Sequence, residues 1–236
     1  MEIELLSGTT ENPLSTIGER AGLCWNSPIN DKEKNVKRAV ECIKSGHGRT
    51  LEFVNIELVL SNASARVMRE VYTHIGGAPT RLQSSTRYVS EQKGFEYFEP
   101  KKISDNLAAK TMYTDVMSTI QNAYNGLVEA GIPVEDAANV LPLGMNSKMI
   151  LKCNLRMLIN FCNQRLCHRA YHEIRKFTQE LVKMLKAKND EWKWIAENLL
   201  VPKCEIYKYL NENLCFCQEK FCCGKHQRID KIQILK

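Results

Sequence analysis

The stretch from Asn154 to Met184 reads NLRMLINFCNQRLCHRAYHEIRKFTQELVKM. Apolar residues recur along it at intervals of three or four positions, which is the spacing of one face of an α-helix. This apolar stripe consists of Ile159, Cys162, Leu166, Ala170, Ile174, Phe177, Leu181 and Met184. The spacing predicts one continuous helix of about seven turns that packs its stripe against a core.

Shorter patterns towards the N-terminus predict a mixture of helices and strands. Residues 31–45 carry apolar positions at helical spacing and are followed by glycines, which favour the end of a helix. Residues 52–60 alternate apolar and polar side chains, as in a half-buried strand. A helix capped by Ser61 or Ser64 is expected to follow and to run to about His74.

The middle of the chain is predicted to be largely helical. Residues 75–79 read IGGAP and must form a loop, because paired glycines and a proline oppose a helix. Residues 106–130 have a helical pattern that Gly-Ile-Pro at 131–133 interrupts, and residues 134–139 are expected to add another turn or two.

Length and composition indicate a globular protein. The chain has 236 residues, of which 44% are hydrophobic. No repeat or linker divides it, so residues 1–200 are expected to form one domain and residues 201–236 a cysteine-rich tail. No apolar run reaches the ~18 residues of a membrane helix, and the N-terminus lacks a signal-peptide pattern, so we expect a cytoplasmic protein. Reduced thiols are expected at Cys24, Cys42, Cys153, Cys162 and Cys167.

The charge balance indicates an anionic partner. Lysine and arginine number 33 against 27 acidic residues, for a net charge of +6. This charge suits nucleotides, folates with glutamate tails, or nucleic acid. The basic residues are spread among acidic ones instead of forming a stripe, which disfavours nucleic acid. The sequence contains neither a Walker loop nor a GxGxxG fingerprint, so a Rossmann dehydrogenase is not expected.

One candidate binding site lies on the predicted long helix. Arg165, Arg169 and His172 are four and three residues apart, which would place them on one face beside the apolar stripe. This face is either a solvated basic ridge or part of a binding site. Further hydrogen-bonding side chains precede it at Asn154, Arg156 and Asn160. Their concentration in an otherwise apolar helix favours an anionic, planar ligand.

A second candidate site is the segment 81–88, which reads RLQSSTRY. It places two guanidiniums, an amide and three hydroxyls close together after the glycine loop. A loop of this composition can surround a phosphate and contact the polar edge of a base. The same composition also fits an ordinary polar turn that leads into a strand.

Together, these segments resemble the flavin-dependent thymidylate synthases. Residues 69–88, REVYTHIGGAPTRLQSSTRY, are similar to the family signature of Arg-His-Arg followed by spaced Ser, Glu, Ser, Arg and Tyr. Residues 154–175 are similar to its second hallmark, which runs from Asn-x-Arg to Glu-Ile-Arg. Weaker similarities keep the family order at residues 21–25 (AGLCW), 46–52 (GHGRTLE) and 140–142 (VLP). The resemblance covers residues 20–190.

The resemblance implies an α/β (α+β) fold with a central, mainly antiparallel sheet flanked by long helices. It implies a homotetramer whose active sites lie between subunits. The implied activity is reductive methylation of dUMP to dTMP, with FAD as cofactor, methylenetetrahydrofolate as carbon donor and NADPH as reductant. In such chemistry the flavin supplies the hydride, so no cysteine has to attack the pyrimidine.

The resemblance also assigns residues to each ligand. FAD would be bound by Cys24, Glu52, His74, Asn154, Arg156, Asn160 and Arg169. The nucleotide dUMP would be bound by Glu70, Gln83, Ser84, Ser85, Thr86, Arg87 and Arg165. Arg81 is added to this set as a candidate contact to the nucleotide phosphate. Within this set Ser85, Arg87 and Arg165 are the expected catalytic group. The two arginines would polarise the uracil carbonyls, and Ser85 would bind without acting as a nucleophile.

The chain departs from the family signature at several positions. His74 lacks the usual flanking arginines, Gln83 replaces a glutamate, and Ala138 stands where an arginine normally binds the nucleotide phosphate. Arg81 is the expected substitute for that arginine. These departures leave open a flavoprotein of the same fold that modifies dUMP or dCMP differently or has lost activity. A non-catalytic nucleotide-binding or RNA-binding module is the third alternative.

The tail concentrates metal-ligating residue types. It contains Cys204, Cys215, Cys217, Cys222, Cys223 and His226. Such a density can bind zinc, but the spacing matches no standard CxxC pair. We therefore predict a non-catalytic, mobile tail and no metal site, and one zinc per chain would overturn this prediction.

Overall fold

The structure is a computed structural model that describes residues 1–73, 79–211 and 213–232. Its first half contains strand β1 (Glu2–Leu5), helices α1 (Pro13–Cys24) and α2 (Lys32–Lys44), strand β2 (Asn55–Ser64), helix α3 (Ala65–Tyr72), strand β3 (Thr80–Gln83) and helices α4 (Lys101–Ser104) and α5 (Leu107–Glu129). Its second half contains helix α6 (Val134–Ala137), strand β4 (Asn146–Asn154) and helices α7 (Leu155–Arg165), α8 (His172–Lys188) and α9 (Asp190–Asn198). Short 3-10 helices lie at Gly48–Phe53, Ala138–Val140, Lys203–Glu205 and Ile229–Lys231.

The strands pair in the order β1-β2-β4-β3 in a small antiparallel sheet. A mixed fold of this sheet and many helices confirms the expected α/β (α+β) class. The chain clusters into two compact units, one formed by residues 1–4, 59–73 and 81–151 and the other by the remaining described residues. Within the described ranges, no helix has both the length and the apolar character that a membrane crossing requires.

Side-chain caps define the starts of several helices, including the cap predicted at Ser61 or Ser64. Asp31, Ser64 and Asn106 each accept a hydrogen bond from the backbone amide three residues further on, at the N-termini of α2, α3 and α5. These bonds satisfy amides that have no partner within the helix. Gly46 follows α2 with a φ of +75°, a conformation that glycine adopts readily. The helices predicted at residues 31–45 and 106–130 are therefore confirmed.

The first unit has a small aromatic and methionine core beneath α5. Phe95, Met117 and Met145 are buried together, and Tyr97 and Tyr113 pack against them. The ring of Tyr97 meets those of Phe95 and Tyr113 edge to face, at centroid distances of 6.2 and 5.7 Å. Edge-to-face pairs of this kind add to the stabilisation that burial alone supplies. This core supports the chain segment that follows β3.

The second unit packs its helices closely. A Cβ atom added at Gly18 of α1 would lie 1.8 Å from the carbonyl oxygen of Asn35 in α2, so only glycine permits this approach. Trp192 of α9 is fully buried, and its indole N–H donates to the carbonyl oxygen of Thr10 at 2.8 Å. The side chain is therefore both packed and hydrogen-bonded, as a buried indole requires.

The predicted long helix is interrupted, so the prediction of one continuous helix is wrong. Residues 166–171 form turns between α7 and α8. The guanidinium of Arg175 donates to the carbonyl oxygen of His168 within this break. The apolar stripe still packs one core, because the rings of Phe161 and Phe177 meet at 6.1 Å from either side of the break. A helical period cannot distinguish one helix from two helices that bury the same face.

The break also separates the three residues of the predicted basic ridge from one another. Arg165 is the last residue of α7, Arg169 lies in the connecting turns and His172 begins α8. The three side chains therefore do not share one helical face, contrary to the sequence prediction. A second difference concerns Glu52, which lies in a 3-10 turn, because β2 begins only at Asn55.

Candidate functional site

The polar segment predicted to bind a nucleotide follows β3 in the first unit. The amide of Ser84 donates to a β4 carbonyl at 2.8 Å, and Gln83 Nε2 donates to the hydroxyl of Ser147 at 3.2 Å. Beyond this pairing the chain turns, and Ser85 Oγ accepts from the backbone amide of Arg87 at 3.3 Å. The segment is thus attached to the sheet at its start. The exposed side chains in it are Leu82, Ser84, Thr86, Arg87 and Tyr88.

Arg87 forms an ion pair that the sequence does not indicate. Its Nε lies 2.6 Å from Oε2 of Glu135, which belongs to α6. The side chains are 64% and 48% exposed, so water competes with their attraction. Glu135 lies one helical turn before Ala138, the position where an arginine was expected. The carboxylate of Glu135 therefore forms an ion pair with Arg87, whose guanidinium was predicted to contact the pyrimidine.

Arg81 stacks on an aromatic ring in the same unit. Its guanidinium carbon lies 3.8 Å from the ring centroid of Tyr72, the last residue of α3. Arg81 Nε is buried, and the described part of the chain provides no hydrogen-bond partner for it. A buried donor without an acceptor is costly, and an anionic oxygen would satisfy it. Glu70, also assigned to the nucleotide, lies 3.8 Å from Arg66 one turn earlier on α3.

A cavity of about 610 Å³ in the second unit brings together other predicted site residues. Its helical side includes Asn160, Arg165 and Arg169. Its size lies within the range of small-molecule sites, and these side chains offer several N–H donors to one space. The opposite side is formed by residues of the C-terminal tail, among them Cys204, Phe221 and His226. Sequence analysis missed this second side, because no local signal links the tail to α7.

Arg169 contacts the tail at the edge of this cavity, which both Arg169 and Phe221 line. One guanidinium nitrogen of Arg169 donates to the carbonyl oxygen of Phe221 at 2.9 Å. The guanidinium carbon also lies 5.5 Å from the centroid of the Phe221 ring, within range of a cation–π interaction. Arg169, which was assigned to FAD, is therefore held by the tail.

The tail wall of the cavity contains a hydrogen-bonded charge cluster. The carboxylate of Glu205 lies 2.9 Å from Nε2 of His226 and 2.5 Å from the ammonium of Lys225. Burial acts to raise the pKa of Glu205, but the hydrogen bonds from Lys225 and His226 outweigh it, so this pKa lies below its ordinary value. Burial raises the pKa of the neighbouring Cys204 thiol to about 11.

The other residues assigned to FAD are not lining residues of this cavity. Glu52 and Arg156 pair with each other at 2.7 Å. The Asn154 side chain accepts a backbone amide at 2.9 Å and caps α7. Cys24 is exposed at the end of α1, and His74 lies outside the described residues. The structure thus places two of the FAD assignments, Asn160 and Arg169, beside Arg165.

The donor set of the cavity fits a flavin nucleotide. Arg165 and Arg169 can provide charge-assisted hydrogen bonds to phosphate oxygens, and the Asn160 amide can donate or accept at the edge of a planar ring. Arg156 lies one turn before Asn160 on α7, so its guanidinium extends the same row of donors. These residues could therefore hold FAD along the exposed face of α7.

Two cysteines of the core, Cys153 and Cys162, are chemically inert. Burial raises the pKa of the Cys153 thiol to about 12 and also raises that of Cys162 on α7. Both thiols stay protonated at neutral pH, and a protonated thiol is a poor nucleophile. The five cysteines for which reduced thiols were predicted, Cys24, Cys42, Cys153, Cys162 and Cys167, take part in no disulfide.

Comparison with known proteins identifies the family. The sequence profile of the thymidylate synthase complementing proteins matches residues 4–189. A flavin-dependent thymidylate synthase of Geobacter sulfurreducens is 31% identical over 194 residues, which cover 79% of this chain and 82% of that protein. This chain belongs to the flavin-dependent thymidylate synthase family. A family member from Nitratidesulfovibrio vulgaris is 27% identical over 244 residues, covering 95% of this chain and 94% of that protein.

A solved structure has a similar fold. It is the UMP/dUMP methylase PolB from Streptomyces cacaoi, solved with 5-Br dUMP. The TM-score is 0.69 at 18% sequence identity, over 85% of this chain and 96% of PolB. At that identity the likeness concerns the fold alone.

Proposed function

We propose that this member of the family catalyses the reductive methylation of dUMP to dTMP. The cofactor would be FAD, the carbon donor methylenetetrahydrofolate and the reductant NADPH. The observation that carries the proposal is the cavity beside α7, where Asn160, Arg165 and Arg169 of the family hallmark meet. The names of the curated relatives and the dUMP analogue bound to PolB support a uracil nucleotide as substrate.

The flavin-binding part of the site would lie along α7. Asn160 and Arg169 would bind FAD, with Arg156 and Glu52 beside them and His74 and Cys24 as further contacts. When bound, FAD supplies the hydride chemistry of the reaction. The role of Arg165 is to donate hydrogen bonds to a uracil carbonyl and to stabilise negative charge there. Asn154 would contribute mainly by fixing the start of α7, since its side chain caps that helix.

The nucleotide-binding part would be the segment after β3. Ser84, Ser85 and Thr86 would contribute hydroxyl and amide groups, with Gln83 holding the segment to β4. Arg87 would leave Glu135 and turn to the pyrimidine, which costs little because their pair is exposed. Phosphate binding would fall to Arg81, whose buried Nε is among the described donors that have no acceptor.

We further propose a homotetramer with active sites between subunits. The supporting observation is α5, whose apolar residues Leu107, Met112 and Val116 are 80%, 69% and 49% exposed. An apolar surface of this kind on a long helix is typical of a protein–protein interface. Light scattering after size exclusion should give four times the chain mass, and a monomer would contradict this part. The free thiols suit a reducing compartment, so we place the enzyme in the cytoplasm.

A second candidate function is favoured by one specific observation. Ala138 replaces the usual phosphate-binding arginine, and Glu135 one turn earlier pairs with Arg87. Both features reduce positive charge available to a nucleotide phosphate. They favour a flavoprotein of this fold that binds dUMP weakly or modifies another pyrimidine nucleotide.

One experiment separates these functions. The purified protein is examined for flavin absorbance, for bleaching by NADPH without oxygen, and for dTMP formation from dUMP and methylenetetrahydrofolate by mass spectrometry. Yellow protein that bleaches and forms dTMP supports the first proposal, and flavin without dTMP supports the second. Colourless protein that binds no added FAD would reject both and favour a non-catalytic binding module. Arg165→Ala should abolish dTMP formation, whereas Lys183→Ala, a change of an exposed residue on α8, should leave it unchanged.

A further inference from the structure

Three segments of the cysteine-rich tail meet in the second unit. The amide of Phe216 donates to the carbonyl oxygen of Cys204 at 3.0 Å. The amide of Cys217 donates to Gln227, and the carbonyl oxygen of Cys217 accepts from Ile229, which forms a parallel bridge with the last segment. Backbone hydrogen bonds therefore hold together chain segments that are separated in sequence.

This arrangement clusters metal-ligating groups. The ligand atoms of Cys204, Glu205 and His226 all lie within 4.8 Å of one another. Cys217 and Cys222 line the same cavity as Cys204 and His226. The thiols of Cys217 and Cys222 are hydrogen-bonded to each other. Four groups of the types that bind zinc, three sulfurs and one imidazole, thus line one cavity, and Cys204 and His226 lie close together in it.

Two of these sulfurs accept hydrogen bonds from backbone amides. The amide of Gly224 donates to Cys222 Sγ at 3.3 Å, and the amide of Glu219 donates to Cys217. In each case the donor lies two residues after the cysteine, and Gly224 has a φ of +86°. Hydrogen-bond donors around a ligand atom help to fix its position in a metal site.

His226 has the carboxylate partner that metal-binding histidines usually have. Its Nε2 lies 2.9 Å from Glu205, so Nδ1 is the nitrogen that can bind a metal. Lys225 also contacts Glu205 and balances its charge. A cluster of thiols and an imidazole supported in this way suits a borderline-soft cation such as Zn²⁺ better than Mg²⁺ or Ca²⁺.

We propose that the tail binds one Zn²⁺ through Cys204, Cys217, Cys222 and His226, with Glu205 holding the imidazole in place. Three cysteines and one histidine are a standard ligand set for a structural zinc site. The sequence prediction of no metal rested on the missing CxxC pair, but the folded chain brings these four residues from three segments to one cavity. Zinc binding would not require the flavin, and the ion would fix the tail wall of the cavity beside α7.

Zinc content of the full-length chain tests this proposal. Protein expressed with added zinc and purified without chelators should contain about one zinc per chain by elemental analysis. Single variants Cys204→Ser, Cys217→Ser, Cys222→Ser and His226→Ala should each lose most of it. The matched control is Cys223→Ser, since Cys223 is exposed and adjacent to Cys222. Glu205→Gln should retain zinc but weaken its affinity about 10- to 100-fold.

A second measurement needs no substitution and so does not depend on the folding of variants. Replacing Zn²⁺ by Co²⁺ in the wild-type protein should give the intense visible and near-ultraviolet absorption of tetrahedral cobalt with thiolate ligands. Wild-type protein without zinc and without this spectrum would overturn the proposal. A Cys217–Cys222 disulfide in freshly purified protein, or equal zinc loss in Cys223→Ser and Cys222→Ser, would overturn the ligand assignment. Elemental analysis measures zinc and requires neither bound flavin nor dTMP formation. A failure of the proposed enzymatic function can therefore be distinguished from a failure of the zinc proposal.

Discussion

Substitutions at the two ends of the Arg87–Glu135 ion pair should change dUMP affinity in opposite directions. Arg87→Ala removes a guanidinium that we assign to the pyrimidine, whereas Glu135→Gln removes only the competitor for that guanidinium. The pair joins Nε and Oε2 at 2.6 Å, and both side chains are largely exposed. The two variants therefore separate the role of Arg87 in binding from its role in the ion pair.

The expected magnitudes differ. A charge-assisted hydrogen bond is worth ~1.5 to 3 kcal/mol, so Arg87→Ala should weaken dUMP binding about 10- to 150-fold. An exposed ion pair is worth only ~0.2 to 1 kcal/mol, so Glu135→Gln should tighten dUMP binding about 1.4- to 5-fold. By the same argument, neither change should lower the free energy of unfolding by more than ~1 kcal/mol.

The assay is titration of purified protein with dUMP, together with kcat/KM for dTMP formation. Lys101→Ala is the matched control, because Lys101 forms an exposed pair with Asp105 at 2.9 Å in the same unit and has no assigned role. Its dUMP affinity should equal that of the wild type. A dissociation constant within twofold of wild type in Arg87→Ala would refute the assignment of Arg87 to the nucleotide. Weaker binding in Glu135→Gln would refute the idea that this carboxylate competes with dUMP.

Three further predictions concern the phosphate, the start of α7 and the flavin. In steady-state kinetics, Arg81→Ala should raise the KM for dUMP about 10- to 150-fold. Adding Ala138→Arg to this variant should restore much of the lost affinity. A wild-type KM in Arg81→Ala would reject a role of Arg81 in phosphate binding. Asn154→Ala removes the cap of α7 and should lower the free energy of unfolding, measured by denaturant titration, by ~0.5 to 2 kcal/mol. Asn154→Asp should keep the cap, but its negative charge should reduce the flavin-to-protein ratio. Arg156→Ala should lower the flavin-to-protein ratio, and full flavin occupancy in this variant would contradict the assignment of Arg156 to FAD. Glu52→Gln removes only an exposed ion pair, so its free energy of unfolding should stay within ~1 kcal/mol of wild type.

The sequence predicted those elements whose signals are local. The helices α2 and α5 begin at Asp31 and Asn106 because these side chains cap the first turn, an effect within three residues. The choice between Ser61 and Ser64 could not be made in advance, since both can cap a helix. The structure selects Ser64, which is buried at the end of β2.

The break between α7 and α8 had no local signal. No glycine or proline lies in residues 166–171, and the apolar period continues through them. The groups that hold the turns come from elsewhere, as with Arg175 bonded to His168 and Arg169 bonded to Phe221. Interactions between segments distant in sequence therefore overrode a strong helical pattern.

The candidate site, too, was predictable only where its signals are local in the sequence. The family motif identified Asn160, Arg165 and Arg169, and the fold does place them around one cavity. The partners of charged side chains were not predictable, because a pair such as Arg87 and Glu135 depends on how α6 lies against the segment after β3. The proximity of the tail residues could not be predicted for a related reason. Spacing rules detect ligands that are adjacent in sequence, whereas Cys204 and His226 meet only after the intervening chain has folded back.

The hydrogen bond from Arg169 to the Phe221 carbonyl couples the tail to whatever occupies the neighbouring cavity. A flavin phosphate that binds Arg169 must either share this guanidinium with the tail or displace Phe221 from it. If zinc holds the tail in place, the factor by which zinc changes FAD affinity must equal the factor by which FAD changes zinc affinity. A cell that limits zinc would then alter how much of this protein carries its cofactor, with no change in any residue that contacts the flavin.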